Sequence, residues 1–432
     1  MSEDDGEDEM TGRRRGLLHG SSSAALVPPL ENDDLLARIL LRLPALPSSL
    51  LRASAVCKRW HGLVSSDPHF LREFRSHHRS APLLGFFPLY LTGGRLEFYS
   101  MLDPPDQIPS SRFTVTVQAA MGSRLLRCYH GRVLILNQLQ KHFLVWDPVT
   151  ADLRQIAFPA AFGSVHNKIV EVVDGAVVCS SDEQGHVHGA CHSDPFKLVL
   201  LADDREKYYA CVYSSETGAW GDLFSMMRPP RVMMPSATTP STMFKNSICL
   251  LLVGEMFAIL EFDWVRQNLA LIDIPLARAE AFASIHGQCQ FLIAPADSSG
   301  AFSFIVLNVS TVRVWKRVSN GDCTSRWILG TAIELGKLLS LKPTVSMVPL
   351  MLLGLDEEGN VMMKSTDSEI VFLVNLESLK FKQLPQKLPY IFCHPFSSFY
   401  TPGMYLGTGV SLFLELQKCK IDKLEMQGHV DV

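Results

Sequence analysis

PLENDDLLARILLRLP, residues 29–44, is followed by LLRASAVCKRWHGLV at residues 50–64 and by SDPHFLREF at residues 66–74. In the first segment, leucines and an isoleucine recur at the spacing of an amphipathic helix. Asn32 or Asp33 is expected to cap this helix, since short polar side chains accept hydrogen bonds from the first free amides. Pro44 ends it, because the residue before a proline is disfavoured in helical geometry.

Two more helices are predicted in the segments that follow. Ser48 or Ser49 is expected to cap the second, and Asp67, with Pro68 at the first helical position, is expected to cap the third. The second helix carries apolar residues along one side: Leu51, Ala55, Val56, Trp60 and Leu63. Three short helices cannot bury this apolar surface among themselves. The pattern therefore leaves two interpretations open, a helical cap packed on the following domain or a helix surface that docks into another protein.

This stretch resembles an F-box, particularly the plant-type form. The residues that carry the resemblance are Leu30, Asp34, Leu35, Leu36, Ile39, Leu40, Arg42, Leu43 and Pro44, then Leu51, Val56, Cys57, Lys58, Arg59 and Trp60. The sequence departs from the family pattern at Asn32, where a proline is common, and at Arg38, where a glutamate is common. Both positions are expected to face solvent or the rim of the contact, so the resemblance stands.

The resemblance implies a partner, a Skp-family adaptor that links the chain to a cullin and a RING protein. The adaptor-binding residues would be Leu30, Leu35, Leu36, Ile39, Leu40, Leu43, Pro44, Leu51, Val56, Cys57 and Trp60. Trp60 is the expected energetic centre, because a buried indole removes a large apolar area from water. The stretch SHHRSAPLLGFF (76–87) also resembles the segment that follows the F-box, and we expect His77 and His78 to be exposed there.

From Leu83 onward the chain consists of short β-type runs separated by Gly, Pro, Asn and Asp, which indicates an all-β sandwich, barrel or propeller. A propeller fits this length best, because it grows by radial repetition. An apolar strand, a polar turn and a second apolar strand recur at residues 143–156, 210–223, 258–272, 304–318 and 371–384, and more weakly at 96–108.

The polar residues that mark the register of these repeats are Asp103, Asp147, Ser214, Asp263, Asn308 and Asn375. They recur at intervals of about 44 to 67 residues, and a four-stranded blade takes about 40–50. Six blades are predicted, or seven if one blade lacks a clear repeat. Each copy is interpreted as the third strand, hairpin turn and outer strand of a blade, with Trp146, Trp220, Trp264 and Trp315 packed between blades.

The segment VWDPVTADLRQI (145–156) is similar to a V-W-D-P-x-T-G-x-x-R pattern of the F-box-associated propeller of plant F-box proteins. The predicted fold class is thus a small N-terminal three-helix F-box followed by a large β-propeller. The predicted divisions are a tail at 1–27, the F-box at 28–75, a linker at 76–90, the propeller at 91–425 and a C-terminal tail at 426–432. The acidic and arginine-containing residues 1–27 are expected to be disordered.

One cluster contains residue types that bind zinc: Cys179, His186, His188, Cys191 and His192. Its spacing matches no recognised ligand pairing. Cys191 and His192 are adjacent, and adjacent side chains on a strand point to opposite faces, so a shared ion would need a loop. A polar insertion between propeller strands explains the stretch equally well, and we predict neither a metal site nor a cofactor.

Composition and motifs exclude several classes of function. A net charge of −4 and a pI near 6.4 do not favour nucleic-acid binding. No apolar run reaches the roughly 20 residues of a membrane span. The acidic N-terminus and ten scattered cysteines indicate reduced thiols in the cytoplasm or nucleus. No nucleophile elbow, phosphate loop or zinc-protease helix is present, so the chain is predicted to be non-catalytic.

The predicted function is that of a substrate-recognition subunit of a Skp–cullin–F-box ubiquitin ligase, which recruits a protein target through propeller loops. Two alternatives remain at this stage: an adaptor-bound F-box scaffold or regulator outside a ligase, and a propeller-based binding protein or lectin. The sequence names neither the target nor the loops that bind it.

Overall fold

The protein is described from a computed structural model. The described residues are 32–117, 122–164, 170–181, 186–192, 194–229, 241–244, 246–253, 257–274, 289–295, 302–319, 325–330, 332–341, 348–356, 359–389 and 392–401. The predicted 1–27 and 426–432 tails lie outside them. A helical region comes first and is followed by a six-bladed β-propeller, as predicted.

The helical region contains four α-helices: α1 (Asp33–Leu40), α2 (Pro47–Ser54), α3 (Lys58–His61) and α4 (Pro68–His78). A π-helical turn, Gly62–Ser66, joins α3 to α4. The second of the three predicted helices is therefore interrupted between α2 and α3. The Asn32 side chain accepts a hydrogen bond of 3.0 Å from the Leu35 amide, and Asp67 accepts one of 2.8 Å from the His69 amide, which confirms both of these caps.

The prediction that Ser48 or Ser49 caps the second helix is wrong. The residue before α2 is Leu46, whose side chain cannot accept a hydrogen bond, and Pro47 occupies the first turn. The Ser48 amide instead donates a 2.7 Å hydrogen bond to Oδ1 of Asp106, a residue of the propeller. A carboxylate from the other domain thus satisfies a free amide at the start of α2, a position where negative charge is also favoured by the helix dipole.

The helices enclose a small core of their own. Its fully buried members are Leu36, Leu40, Leu50, Ala53, Val64, Phe70 and Phe74. Trp60, Leu43 and Leu63 pack against this core while remaining partly exposed.

Three of the complete blades come first in the chain, each an antiparallel sheet. The first contains β5 to β8 (Ser123–Tyr129, Arg132–Asn137, His142–Trp146, Leu153–Ala157). The second contains β9 to β12 (Glu171–Cys179, Phe196–Asp203, Lys207–Ser214, Ala219–Trp220), with β13 (Phe224–Met227) also paired to β11. The third contains β14 to β17 (Thr242–Phe244, Ser247–Leu252, Phe257–Asp263, Asn268–Ile274).

Two further complete blades follow. The fourth contains β18 to β21 (Cys289–Pro295, Phe302–Asn308, Thr311–Ser319, Ser325–Leu329), with β22 (Ile333–Glu334) paired to β20 and a short helix α5 (Leu335–Leu338) beside it. The fifth contains β23 to β26 (Leu350–Leu355, Val361–Ser365, Ile370–Asn375, Lys380–Lys387). Short 3₁₀ turns occur at Ser110–Arg112 and Ala160–Ser164.

The sixth blade closes the ring, because it combines strands from both ends of the propeller. β27 (Cys393–Ser397) pairs antiparallel with β1 (Leu83–Pro88), which also pairs with β3 (Tyr99–Ser100). β2 (Arg95–Glu97) and β4 (Thr114–Thr116) form a two-stranded ribbon next to them. β1 lies inside the stretch 76–90 that was expected to be a linker, so the propeller starts earlier than the sequence indicated.

Six apolar clusters separate the six blades, one at each junction. The predicted inter-blade role of the four tryptophans is confirmed, since each lies in or packs against one of these clusters: Trp146, Trp220, Trp264 and Trp315. The Trp220 indole also donates a 2.9 Å hydrogen bond to the Ala157 carbonyl of the preceding blade.

The predicted register residues explain the hairpin turns. Oδ1 of Asp147 accepts hydrogen bonds from the amides two and three residues on, and Asp263 and Asn375 do the same. Such side chains stabilise turns by imitating a backbone acceptor. Four residues after the mark, each of four hairpins has a residue of positive φ: Ala151, Gly218, Gln267 and Leu379.

Two of the predicted repeat copies need correction. The copy at 304–318 covers β19 and β20, the second and third strands of the fourth blade, instead of the third and fourth. The copy at 96–108 spans β2 and β3, which pair with other strands and form no hairpin with each other. An apolar strand, a turn and a second apolar strand occur at more than one hairpin of a blade, so this pattern does not say which hairpin is which.

The helical region packs against the closing blade. Besides the Ser48–Asp106 hydrogen bond, a narrow gap separates α2 and α4 from the residues after β27, with Leu50 and Phe74 on one side and Phe399 and Tyr400 on the other. Within the described part of the chain, no helix combines the length and apolarity that crossing a bilayer requires.

We predict that Asp106→Ala loosens α2 without unfolding the propeller. Loss of a capping acceptor costs about 1 kcal/mol, so amide exchange at residues 48–51 should accelerate about fivefold by hydrogen–deuterium exchange mass spectrometry. Asp152→Ala, which removes an exposed carboxylate of the β7–β8 turn that pairs with Arg154, is the control. Unchanged exchange at residues 48–51 in the Asp106 variant would contradict the assignment.

Candidate functional site

Helix α1 divides its apolar residues between two faces. Leu36 and Leu40 are 0% and 1% exposed and belong to the helical core, whereas Leu35 and Ile39 are 41% and 43% exposed. Leu35 and Ile39 lie four residues apart and therefore share one face of the helix. The expectation that Leu36 and Leu40 contact an adaptor does not fit this arrangement, because their side chains are already enclosed by the other helices.

The turn between α2 and α3 adds to the exposed apolar surface. Val56 is 61% exposed and Cys57 is also exposed, while Leu51 and Trp60 are half-buried. Pro44 is exposed, Leu43 is half-buried, and Leu30 lies outside the described residues. We use the name docking surface for the exposed side chains of Leu35, Ile39, Pro44, Val56 and Cys57. The partly exposed side chains of Leu43, Leu51 and Trp60 are counted as its flanks.

An ion pair brings the two parts of the docking surface together. The Arg59 guanidinium contacts Oδ1 of Asp33 at 2.7 Å, which links α3, directly after the turn that carries Val56 and Cys57, to the first turn of α1. Both side chains are substantially exposed, and such pairs contribute little stability. The pair therefore adds little to the free energy of unfolding, and its effect is on the relative orientation of the two segments.

The central channel of the ring contains a cavity of about 380 Å³, lined by strands β5, β14, β18, β23 and β27, by the loop after β9 and by the connection between α4 and β1. Arg127 of β5 links three blades at its wall: it contacts Asp174 of β9 at 3.3 Å and the hydroxyl of Ser241, just before β14. Arg127 and Asp174 are about 10% exposed, so removal of either would leave a poorly solvated charge.

His394 of β27 also lines this channel. Burial, followed by the positive charge of Arg127, lowers the pKa of His394 to about 3. Near neutral pH the imidazole is therefore uncharged beside the Arg127–Asp174 pair. Sequence reasoning missed this channel because its lining residues come from five strands and two connecting segments that are far apart in the chain.

Four of the five residues in the cysteine and histidine cluster converge at one end of the channel. One potential ligand atom from each of Cys179, His186, His188 and Cys191 lies within 4.8 Å of the others. His192 points elsewhere, and its Nδ1 donates a 2.7 Å hydrogen bond to Oδ2 of Asp147. The adjacent residues Cys191 and His192 therefore point in different directions, as the sequence predicted. Residues 186–192 form a loop, which is what a shared ion would need.

The two thiols of this cluster differ in acidity. The hydrogen bond with Cys191 lowers the pKa of Cys179 to about 4, and the same pairing raises the pKa of Cys191. His130, whose pKa is lowered by burial and by the neighbouring His188, accepts a 3.1 Å hydrogen bond at Nδ1 from the Cys179 amide.

A family model described as F-box-like matches residues 33–75, the span from the start of α1 nearly to the end of α4. Residues 33–75 form an F-box-like domain. F-box domains generally bind Skp1-type adaptors, and an F-box-like domain followed by a propeller has the general organisation of an F-box substrate receptor. No curated protein matches the chain.

Solved structures similar to the chain are distant from it in sequence. The Dos1 propeller is 7% identical over 71% of this chain and 69% of its own, with a TM-score of 0.35. A nidogen/laminin complex is 7% identical over 72% and 98%, with a TM-score of 0.39. Apo AztD from Citrobacter koseri is 9% identical over 72% and 88%, with a TM-score of 0.35. At these identities and TM-scores, the similar structures give no information about the function of this chain.

We predict opposite outcomes for the same substitution at two neighbouring residues of the F-box-like domain. Leu36→Asp places a charge in the helical core and should unfold the helices, at a cost of about 3 kcal/mol or more. Leu35→Asp leaves the charge in water and should change stability by less than about 0.5 kcal/mol. Amide exchange across residues 33–75 measures both. Equal protection in the two variants would overturn the assignment of the two faces.

We predict that acid destabilises the propeller in part through His394. The folded-state pKa is lowered to about 3, whereas an unfolded histidine titrates near 6.5. The unfolded chain therefore binds a proton that the folded chain does not, and the free energy of unfolding decreases as pH falls from about 6.5 towards 3.

Urea unfolding between about pH 8 and pH 5 measures this effect. His394→Gln should lose less stability over that range than the wild type, while the exposed His77→Gln should follow the wild type. A parallel pH profile for wild type and His394→Gln would show that the histidine titrates normally in the folded protein.

Proposed function

We propose that this chain is the substrate-recognition subunit of a Skp–cullin–F-box ubiquitin ligase that recruits target proteins for ubiquitination and proteasomal degradation. The carrying observation is an F-box-like domain whose first helix keeps Leu35 and Ile39 exposed after its own core is complete. Large aliphatic side chains held at the surface of a rigid helix are suited to bind an apolar groove of a partner. The resemblance of this stretch to plant-type F-boxes forms part of the proposal.

The adaptor would cover the docking surface. Leu35 and Ile39 would enter the adaptor together, with Val56 and Cys57 beside them and Pro44 at the end of α1. Burial of apolar area contributes about 25 cal/mol per Å², so a few such side chains dominate the affinity. Trp60 packs against the helical core and would support this surface while presenting its exposed edge.

The propeller would supply the target-binding half of the receptor. Because the helices pack directly on the closing blade, a target bound to the ring would be held near the docking surface. Tethering a target there raises the effective concentration of its lysines near the charged conjugating enzyme. F-box proteins are generally non-catalytic adaptors, and we assign the transfer chemistry to the cullin and RING partners.

This role requires the chain to work where cullin ligases and the proteasome operate, and we propose the cytoplasm, the nucleus or both. Neither nucleic acid nor membrane is part of the proposal, in keeping with the net charge of −4.

We predict that Leu35→Asp and Ile39→Asp each reduce co-purification of a Skp-family adaptor by at least about tenfold. A charge buried at the contact without a partner costs several kcal/mol, and 1.4 kcal/mol corresponds to tenfold in affinity. Leu139→Asp is the matched control, because Leu139 is 64% exposed on the first blade, away from the helices. Undiminished adaptor capture by both helix variants would refute the docking surface.

Co-purification of the cullin separates a ligase subunit from a scaffold. The proposal expects cullin and adaptor to be captured together by the wild type and lost together in Leu35→Asp. Capture of the adaptor with no cullin, under conditions where a known F-box protein captures both, would favour a scaffold outside a ligase. Proteins that accumulate on the wild type only under proteasome inhibition would be the target candidates.

A further inference from the structure

We propose that Cys179, His186, His188 and Cys191 bind one structural zinc ion at the end of the central channel. The inference does not depend on the proposed ligase role, since it rests on the geometry of these four side chains alone. Two thiols and two imidazoles make the Cys₂His₂ combination that zinc accepts in structural sites, and all four positions come from the protein, which leaves no position open for catalysis.

The distances between the ligand atoms match a tetrahedral zinc ion. Nε2 of His186 lies 3.5 Å from Sγ of Cys179 and 3.2 Å from Sγ of Cys191, and Nδ1 of His188 lies 3.7 Å from Sγ of Cys191. Zinc bonds of about 2.3 Å to sulfur and 2.0–2.1 Å to nitrogen place tetrahedral sulfur and nitrogen ligands about 3.6 Å apart. Without an ion, the same contacts would be weak thiol–imidazole hydrogen bonds.

A supporting shell of the kind found around metal ligands surrounds the cluster. Nδ1 of His186, the ring nitrogen turned away from the sulfurs, lies 3.7 Å from Oδ2 of Asp194. This separation is a charge contact, longer than a hydrogen bond, and a carboxylate near a ligating histidine raises the basicity of the ring. The His188 ring stacks on His130 with centroids 3.5 Å apart and planes within 7°, which fixes its orientation. The Ser181 amide donates a 3.4 Å hydrogen bond to the Cys179 sulfur, a contact that favours thiolate.

The loop is also anchored from outside the cluster. The Arg132 guanidinium donates to the carbonyl of Cys191 and, at 2.7 Å, to that of Asp194. The adjacent His192 is held by Asp147 of the first blade. These contacts present Cys191 to the cluster before any ion arrives, and such preorganisation lowers the entropic cost of binding.

The position of the site indicates what the ion would do. Gly189, between His188 and Cys191, accepts hydrogen bonds at its carbonyl from the Ser398 hydroxyl at 2.8 Å and the Phe399 amide at 3.0 Å. A Cβ added to Gly189 would lie 2.4 Å from the Cβ of Ala81, in the connection between α4 and β1. Zinc would therefore fix the loop that contacts both the connection between α4 and β1 and the end of the closing blade.

The test is the metal content of the tag-free, full-length chain, purified from zinc-supplemented cells. Elemental analysis should find about one zinc per chain. Cys179→Ser, Cys191→Ser and His186→Ala should each fall below about 0.1 equivalent, because a structural site needs all four ligands. Cys57→Ser and His77→Ala, which change exposed residues outside the cluster, should retain the metal.

Spectroscopy of the wild type tests the site without any substitution, so its result does not depend on whether the variants fold. Replacement by Co²⁺ should give intense tetrahedral d–d bands and thiolate-to-cobalt charge transfer, and X-ray absorption of the zinc form should give two sulfur and two nitrogen neighbours. Chelation should increase amide exchange at residues 80–81 and 398–399 by at least about tenfold.

Three outcomes would overturn the proposal. The first is a wild type with less than about 0.1 equivalent of zinc and no Co²⁺ spectrum. The second is metal retained by all three ligand variants. The third is a disulfide between Cys179 and Cys191 in the freshly isolated protein, detected by mass spectrometry, since oxidised sulfur cannot ligate as thiolate.

Discussion

The antiparallel pairing of β1 with β27 is the constraint on which the architecture depends. An open array of blades would expose a strand edge and an apolar face at each end. Here the first and last described strands of the propeller share one sheet, and Phe87 and Phe396 pack together with Phe98 and Phe113 beneath it. Because only four residues separate the end of α4 at His78 from the start of β1 at Leu83, the same pairing also restricts where the helices can lie.

That closure makes the two domains interdependent. The helices obtain a cap from Asp106 and a surface from Phe399 and Tyr400, both supplied by the closing blade. The loop with the cysteine and histidine cluster contacts the same region through Gly189. The connection between α4 and β1, the residues after the last strand and the loop therefore meet at one junction.

Asp147 shows how one residue can serve local and long-range structure at once. One carboxylate oxygen organises its own hairpin turn, and the other holds His192 of the following blade's insertion. Asp147 was recognisable in the sequence as a turn residue, because the amides that it binds are only two and three residues further along the chain. Its second role was invisible there, since it joins residues 45 positions apart.

The sequence by itself determined the helices, two of their three caps, the propeller and the inter-blade tryptophans, because these depend on periodicity and on hydrogen bonds over a few residues. Only the tertiary structure decided which leucines of α1 are buried, since Leu35 and Leu36 have the same chemistry and differ only in the neighbours that fold over them. It also decided the cap on α2 and the convergence of Cys179, His186, His188 and Cys191. Spacing rules for metal ligands apply when all the ligands lie in one short segment of regular structure. Here the four atoms come from the end of a strand and from a loop that Arg132 and Asp147 hold in place.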